Sequence, residues 1–457
     1  MIDEQFGIFA APTGTDDAAC GTKGTPCNTL GKAMQRAKAE GKRVYACGDG
    51  GAFAENLVVN ADIDGLLVFG GLHCADWSYA PTAVRTKVEP ASGSAIVVEN
   101  LVTGVHLRDF AFTSANAVGA GASSIAGIVR DSQNVVFGNS VFSAGAGAGG
   151  ADGAQGAAGE TVPSVGPQQQ GQSADCSAAP PGALPGGFWP TAFTCAAGGT
   201  TRGGTGGNAS YERPGDPGLQ GAPAVPEQGQ GGEGGTVASK NGKNGQAGAA
   251  GQPGQNGAGA AAVGTLSAAG YQPADGSNGT NGNPGQGGGG GGASWSKSLC
   301  TGASGGAGGM GGCGGFAGTQ GTGGGASIGL LVWSSTVTLE QCKLTSSSGG
   351  QGGKGGSGGA ASAGKQGHGG GFAVEIPMEN AGQGGLGGNG GLGGSGSGGT
   401  GGPSYALAFH GTAPVEEGSV TKTPGQGGAK GAGGVAPGGV AAAEGSVGGA
   451  AGEVEIP

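Results

Sequence analysis

The chain has 457 residues, of which 119 are Gly and 23 are Pro, together roughly 31% and in the range of low-complexity sequence rather than of a packed domain. Leu, Ile, Val and Phe supply only roughly 15%, yet just 11% of residues are charged, so neither an ordinary core nor charge-driven disorder describes it. The net charge of −10, with no basic run and no basic stripe carrying aromatics, excludes a nucleic-acid binder, and no stretch approaches the about 18 apolar residues of a membrane span.

Apolar residues concentrate in 44–145, 326–345 and 404–422, where any conventional core must lie. The chain opens with a short strand, Phe6 to Ala10, and a turn-rich stretch, Pro12 to Pro26. Thr29 then caps an amphipathic helix over 30–40, which Gly41 ends in the usual C-terminal position. Short β-rich runs follow at 44–47, 56–59, 65–70, 95–99, 104–113 and 127–143, with turn residues such as Asn100, Asn134 and Asn139 between them. Val105, Leu107, Phe110 and Phe112 recur thirty positions on as Val135, Phe137, Ser140 and Phe142. A further copy of the unit that starts at Gly127 starts at Gly329. Val135 then falls on Val337, Phe137 on Leu339, Val141 on Lys343 and Phe142 on Leu344. A weaker copy runs over 404–424.

Strand units recurring at roughly 20–30 residues predict a solenoid, and the β-branched content with few Asn-Gly or Asp-Gly turns favours a parallel β-helix over a sandwich. The expected class is all-β: a right-handed parallel β-helix with a glycine-rich polyglycine-II helical bundle inserted from its rungs. Glycine-rich sequence follows each copy, from Gly145, Gly349 and Gly425, so stacked copies would send three tracts out side by side from one corner. The division is an N-terminal cap and first rungs over 1–145, an insertion over 146–325, a rung over 326–348, an insertion over 349–403, a rung over 404–424, and a glycine-rich tail with a last strand over 425–457.

The opening G7 I F A A P T G T D D, followed by G21 T K G T P C N T L G K A and K42 R V Y A C, resembles the N-terminal entry of secreted right-handed parallel β-helix proteins of the pectate-lyase-like superfamily. The likeness covers about 5–145. It implies the fold and an extracellular setting, and no particular reaction. Two features depart from it: Cys20 and Cys27 stand in turn positions usually held by other residues, and the tracts interrupt the helix on a large scale.

Within the tracts Gly returns every third residue, at 242, 245, 248, 251, 254 and 257, and again from 276 to 291. The runs over 349–359 and 384–394 keep the same beat. A flexible linker needs no period, whereas a left-handed helix of three residues per turn does. Glycine on one ridge lets such helices approach until their backbone groups pair. Ordering costs about 1–2 kcal/mol per residue, so a lone tract would stay disordered and only an anchored bundle can order. Slips in the beat at 395–397 and 316–318, with little Pro, set the tracts apart from collagen. Residues 160–235 hold many prolines and few periodic glycines, and are expected to form an irregular, disulfide-stapled excursion.

Nine cysteines without a C-x-x-C, and four scattered histidines, point to disulfides and an oxidising compartment rather than to a metal site. The expected pairs are Cys20–Cys27, Cys47–Cys74, Cys176–Cys195 and Cys300–Cys313, although connectivity is not deducible from sequence. Cys342 falls at the place of Ser140 and is expected to be a buried thiol. The start Met1-Ile2-Asp3-Glu4-Gln5 is not a signal peptide; it reads either as a native cytoplasmic start or as a start Met on a mature domain, and the cysteines favour the second, with a signal or anchor segment expected outside this sequence.

Chemistry is sparse. Arg108-Asp109 and Arg130-Asp131 are the best acid–base candidates and read as a surface ladder; Asp49, Asp62 and Asp64 read as turn residues, and His106 as solvent-facing. The glycine motifs arise from composition alone and no Walker motif occurs. No catalytic residue, metal site or cofactor is assigned; calcium is conceivable but not predicted. The expected function is a non-catalytic, secreted or cell-surface structural or adhesive protein that meets matrix, glycan or a partner cell, or assembles into filaments. Gln351, Lys354, Leu386, Asn389 and Leu392 are the candidate contacts on the tracts. The alternatives are a carbohydrate-active β-helix enzyme of the polysaccharide lyase or hydrolase kind, and an ice-binding protein.

Overall fold

The computed structural model describes residues 2–163, 166–177, 180–260, 262–296, 299–373 and 379–457. The protein is mostly β and is organised around three long parallel sheets, an arrangement compatible with a parallel β-helix. The first sheet has seven strands: Gly7–Ala10, Arg43–Cys47, Leu67–Leu72, Val105–Arg108, Val135–Gly138, Val337–Glu340 and Val415–Glu417. The second has Ala52–Phe53, Thr86–Val88, Phe110–Thr113, Val141–Ser143, Lys343–Thr345 and Thr421–Thr423; the third has Leu57–Val59, Ile96–Glu99, Ser124–Arg130, Ser327–Trp333, Ser404–His410 and Ala450–Glu455. From Arg43 the chain visits first, second and third sheet in rotation, each circuit lying on the one before.

The corners explain the turn residues. Between first and second sheet, Asp109, Asn139, Gln341 and Gly418 stack with φ of 69°, 45°, 53° and 72°. Between third and first, Asn100, Asp131, Ser334 and Gly411 do the same, with φ of 59°, 48°, 47° and 88°. A left-handed residue turns the chain within one position, and Asn, Asp and Gly tolerate it best.

Inward positions repeat from circuit to circuit and build the core. One column is Phe53, Val88, Phe112, Phe142 and Leu344; another is Val44, Val68, Leu107, Phe137 and Leu339. The third is Leu57, Ile96, Gly127, Leu330 and Leu407. Gly127 leaves room for the Phe142 ring, which stacks on Phe112 with centroids 5.1 Å apart. The expected pairings of Val135, Phe137, Val141 and Phe142 hold in the first two sheets. In the third the register is shifted by one: Gly127 lies beside Leu330 rather than Gly329. The turn from Arg130 to Val135 holds one more residue than that from Trp333 to Val337, so a single offset cannot align both flanks.

The two ends close differently. At the N-terminal end the helix Leu30–Glu40 buries Leu30, Ala33, Met34 and Ala37 in the same core. The Thr29 hydroxyl accepts from the Lys32 N–H, Gly41 ends the helix at φ 64°, and Glu55 accepts from the Leu30 and Gly31 N–H groups. At the other end all three columns finish in charge. Glu416 follows Leu339, Lys422 follows Leu344 and Glu453 follows Leu407. Lys422 ion-pairs with both glutamates, so a charged trio covers the last apolar layer. Charges at inward positions of an edge discourage further strand pairing.

The glycine-rich tracts leave from the ends of second-sheet strands and return to the starts of third-sheet strands. Their exits are neighbours: the Gly147 N–H donates to the Ser348 carbonyl and the Gly349 N–H to the Gln426 carbonyl, at 3.0 and 2.9 Å. Their returns are neighbours too, through Ser327 N–H to Pro403 and Ser404 N–H to Gly449, both 2.9 Å. Between these points backbone bonds recur every third residue. Gly150, Gly153, Gly156 and Gly159 donate to Gln351, Lys354, Ser357 and Ala360; Gly245, Gly248, Gly251 and Gly254 donate to Gln383, Leu386, Asn389 and Leu392.

The number of glycines per triplet follows the number of neighbours. Over 287–292 all six residues are Gly, and an added Cβ would strike a different neighbour at each of three phases. Gly287 and Gly290 face Arg202 and Thr205, Gly288 and Gly291 face Gly385 and Gly382, and Gly289 and Gly292 face Gln230 and Glu233. Over 349–359 two phases are covered and the third carries Gln351, Lys354 and Ser357. None of these glycines lies at positive φ, so close approach, not backbone freedom, requires Gly. The array also takes in parts of 203–235, where Gly204, Gly207 and Gly232 donate to Gly288, Gly291 and Gly290; the second half of the excursion is thus more regular than its composition suggests.

Four disulfides are present. Cys20–Cys27 and Cys47–Cys74 are as expected. The other two are Cys176–Cys300 and Cys195–Cys313, which corrects the expected Cys176–Cys195 and Cys300–Cys313. Extended chain at about 3 Å per residue separates Cys300 from Cys313 by roughly 40 Å, far beyond the reach of one disulfide. Reciprocal bonds between Asp175 and Thr301, of 3.1 and 2.8 Å, instead bring Cys176 beside Cys300. Each long-range bond therefore ties the excursion to a distant tract segment.

Candidate functional site: the surface of the glycine array

The five candidate contacts fall on two segments. Gln351 and Lys354 are exposed, one triplet apart, and their carbonyls accept from Gly150 and Gly153. Leu386, Asn389 and Leu392 form a row on the second segment; Leu386 is 42% exposed, Asn389 is exposed and Leu392 is half-buried. Their carbonyls accept from Gly248, Gly251 and Gly254. The Asn389 side chain is less free than its exposure suggests: its Oδ1 accepts from the Gly364 N–H at 3.1 Å. At Lys354 it is the backbone N–H that is held, donating to Asp152 Oδ1 at 2.7 Å.

That pattern is general and explains the polar residues of the tracts. Asn241, Asn244 and Asn256 accept from the N–H groups of Asn380, Gln383 and Ser395; Thr319 and Thr322 accept from Ala154 and Ala151. In a triplet, backbone carbonyls serve the glycine N–H groups and a neighbouring Asn, Asp, Ser or Thr oxygen can serve another. Sequence reading missed this second set of bonds. The signal was present in the Asn and Thr that recur at one phase, as in Asn241 and Asn244 or Thr319 and Thr322.

The acid–base candidates do not assemble. Arg108 lies in the first sheet and Arg130 in the third, so the two Arg-Asp pairs form no ladder, contrary to expectation. Arg108 pairs with Glu340 at 2.8 Å and Arg130 with Glu99 at 2.6 Å. The left-handed turn at each Asp directs it away from its Arg neighbour's row. Asp109 is 1% exposed and accepts from the Tyr79 hydroxyl at 2.7 Å and the Asn139 amide at 2.6 Å. Asp64 accepts from the N–H groups of Val102, Thr103 and Gly104; burial opposes its charge, but these donors hold its carboxyl below the usual range. Asp49 takes His73 Nδ1 at 2.8 Å and the Cys74 N–H at 2.6 Å, and the His73 bond leads in holding it low. Asp62 sits in a short turn capped by Asn60, and His106 is exposed.

Among the described residues, the groupings of three metal-ligating side chains are Asp16 with Cys20 and Cys27, and Glu160 with Cys195 and Cys313. Both use sulfurs already joined in disulfides. Cys342 is a buried free thiol beside Phe137 and Ser140, and burial pushes it up to about 11. It is therefore a protonated packing residue at neutral pH.

Among the clefts of the described residues, two lie on aromatic surfaces where no site was read. One, of about 660 Å³, is walled by Pro167, Gln168, Trp189, Pro190 and Phe193 on the excursion and by Met310 of a tract segment. The other, of about 270 Å³, lies outside the first sheet and is lined by aromatics and two arginines. No helix among the described residues is long and apolar enough to cross a membrane, and the four disulfides are consistent with an extracellular setting. A scan against protein-family models finds no match, and searches of curated proteins and of solved structures find none either.

Proposed function

We propose that this chain is a non-catalytic secreted or cell-surface protein with a structural or adhesive role. In this reading a right-handed parallel β-helix is the mount, and a polyglycine-II bundle grown from one of its corners is the presented body. The observation that carries it is the bonding of the tracts: donors every third residue, on more than one side of a segment, with long-range disulfides as anchors. Such a body is stiff, weakly charged and flat, which suits repeated contact with an extended polymer or a second flat surface. The exposed row of Gln351 and Lys354, and the row of Leu386 with the half-buried Leu392, would set what it meets.

Binding to immobilised extracellular polysaccharides and matrix proteins, with sedimentation of the free protein, tests the reading. Saturable binding without turnover, or concentration-dependent filaments, is the expected result. Release of shortened or unsaturated oligosaccharide from any polymer would replace it with an enzyme.

A further inference from the structure

The outer face of the first sheet carries a cross-strand row of unusual order. Phe9 pairs with Tyr45, Tyr45 with Phe69, Phe69 with Arg108, Arg108 with Gly138, and Gly138 with Glu340. Three aromatics therefore lead to a cation, then to a gap, then to an anion. The rings are in contact: Phe9 and Tyr45 have centroids 5.4 Å apart, Tyr45 and Phe69 6.0 Å.

Glycine shapes both ends of this row. A Cβ at Gly7 would collide with the Tyr45 ring, so Tyr45 can lie flat across the first strand. A Cβ at Gly138 would come within 3.0 Å of the Arg108 guanidinium, which crosses that gap to reach Glu340. The cleft of about 270 Å³ lies over the middle of the row and is lined by Tyr45, Phe69, Tyr79, Arg43 and Arg108, among others. Tyr79 is 49% exposed, and its hydroxyl is held by Asp109, which fixes the ring as a wall.

The charges are unbalanced. Arg43 is half-buried and makes no ion pair among the described residues, in a chain with 30 acidic and 20 basic residues. Arg108 spends one nitrogen on Glu340 and leaves 42% of its side chain exposed. A guanidinium offers five donors, and a carboxylate is the anion its fork fits best alongside phosphate.

We propose that this cleft binds a single flat ring bearing a carboxylate, with the ring against Phe69 and the exposed Tyr79, over the buried Tyr45, and the carboxylate facing Arg43 and Arg108. An aromatic floor takes the apolar face of either a sugar ring or a benzene ring. The cavity admits one ring rather than a chain segment. The site lies wholly on the β-sheet stack, so it is independent of the role given to the glycine array.

The test is calorimetric titration of the intact, oxidised protein with sodium glucuronate, sodium benzoate and glucose. One or both acids should bind at a single saturable site, with glucose at least about tenfold weaker because it lacks the charge-assisted bonds. Glucuronate alone would assign an acidic sugar; benzoate alone would assign an aromatic acid. Arg43→Gln should weaken the acid by about tenfold with unchanged thermal unfolding, since Arg43 supports no ion pair, and Arg43→Lys should recover part of the loss. Failure of both acids to saturate, equal binding of glucose, or an Arg43→Gln affinity equal to that of the parent would overturn the assignment.

Discussion

The sheet stack and the glycine array solve the same packing problem with opposite materials. In the stack, side chains fill the space: Phe112, Phe137 and Phe142 meet within 5.0 to 6.1 Å, and the backbone groups pair at the periphery. In the array the space is removed: segments approach until only hydrogen fits, and the core is made of peptide groups. The first gains from apolar area taken out of water. The second gains little that way and depends on satisfying every buried N–H and C=O, because each orphan would cost about 1–3 kcal/mol. The stack should therefore fail when a side chain is removed, and the array when one is added.

The largest expected effect is in the stack. Phe112→Ala should cost about 3–5 kcal/mol, read as a lowered denaturation midpoint, since it empties the centre of a fully buried aromatic cluster. Gly290→Ala should cost about 1–3 kcal/mol and act on the array, because its methyl group would meet the Thr205 carbonyl inside a segment covered on three sides. The control is Gln351→Ala, on the uncovered phase, which should change stability by no more than about 0.5 kcal/mol. Equal effects at Gly290 and Gln351 would break the comparison.

The last effect, confined to alkaline pH, concerns a polar corner of the stack. Burial first, then the bond to Asp109, push the Tyr79 phenol from 10.0 up to about 12. The folded state thus keeps this proton longer than the unfolded state does. Its contribution is complete below the unfolded value and falls away as pH rises from about 10 to about 12. Tyr79→Phe should remove that alkaline slope, whereas a Tyr79 phenolate that forms at its ordinary value would contradict the environment described.

How much of this was legible beforehand follows from which forces leave a mark on sequence. The apolar repeat placed Phe137 on Leu339 and Phe142 on Leu344, because inward columns demand like residues at like positions. It misplaced Gly127 by one, because turn length is fixed by backbone geometry that hydrophobic spacing does not record. The three-residue beat signalled close approach, and the count of glycines per triplet holds the number of neighbours, although not their identity. Pairing of Cys195 with Cys313 depends on which segments are adjacent, which local spacing cannot convey. The cleft over Tyr45 and Phe69 escaped notice for a similar reason: its residues come from strands 24 to 39 positions apart (45 to 69, 69 to 108) and meet only through register.

Amide hydrogen exchange across the sheet strands and across 150–159, 203–235, 242–257, 287–296, 299–313 and 349–359, before and after reduction of the disulfides, addresses the central claim most directly. An ordered array bonded at every third residue predicts strong protection at Gly150, Gly153, Gly245, Gly248, Gly288, Gly290, Gly350 and Gly353, approaching that of the sheet strands. It also predicts that reduction of Cys176–Cys300 and Cys195–Cys313 weakens protection in 203–235 and 287–313 more than in the stack. Exchange of the tract glycines at the rate of an unstructured chain, with the stack still protected, would contradict the account.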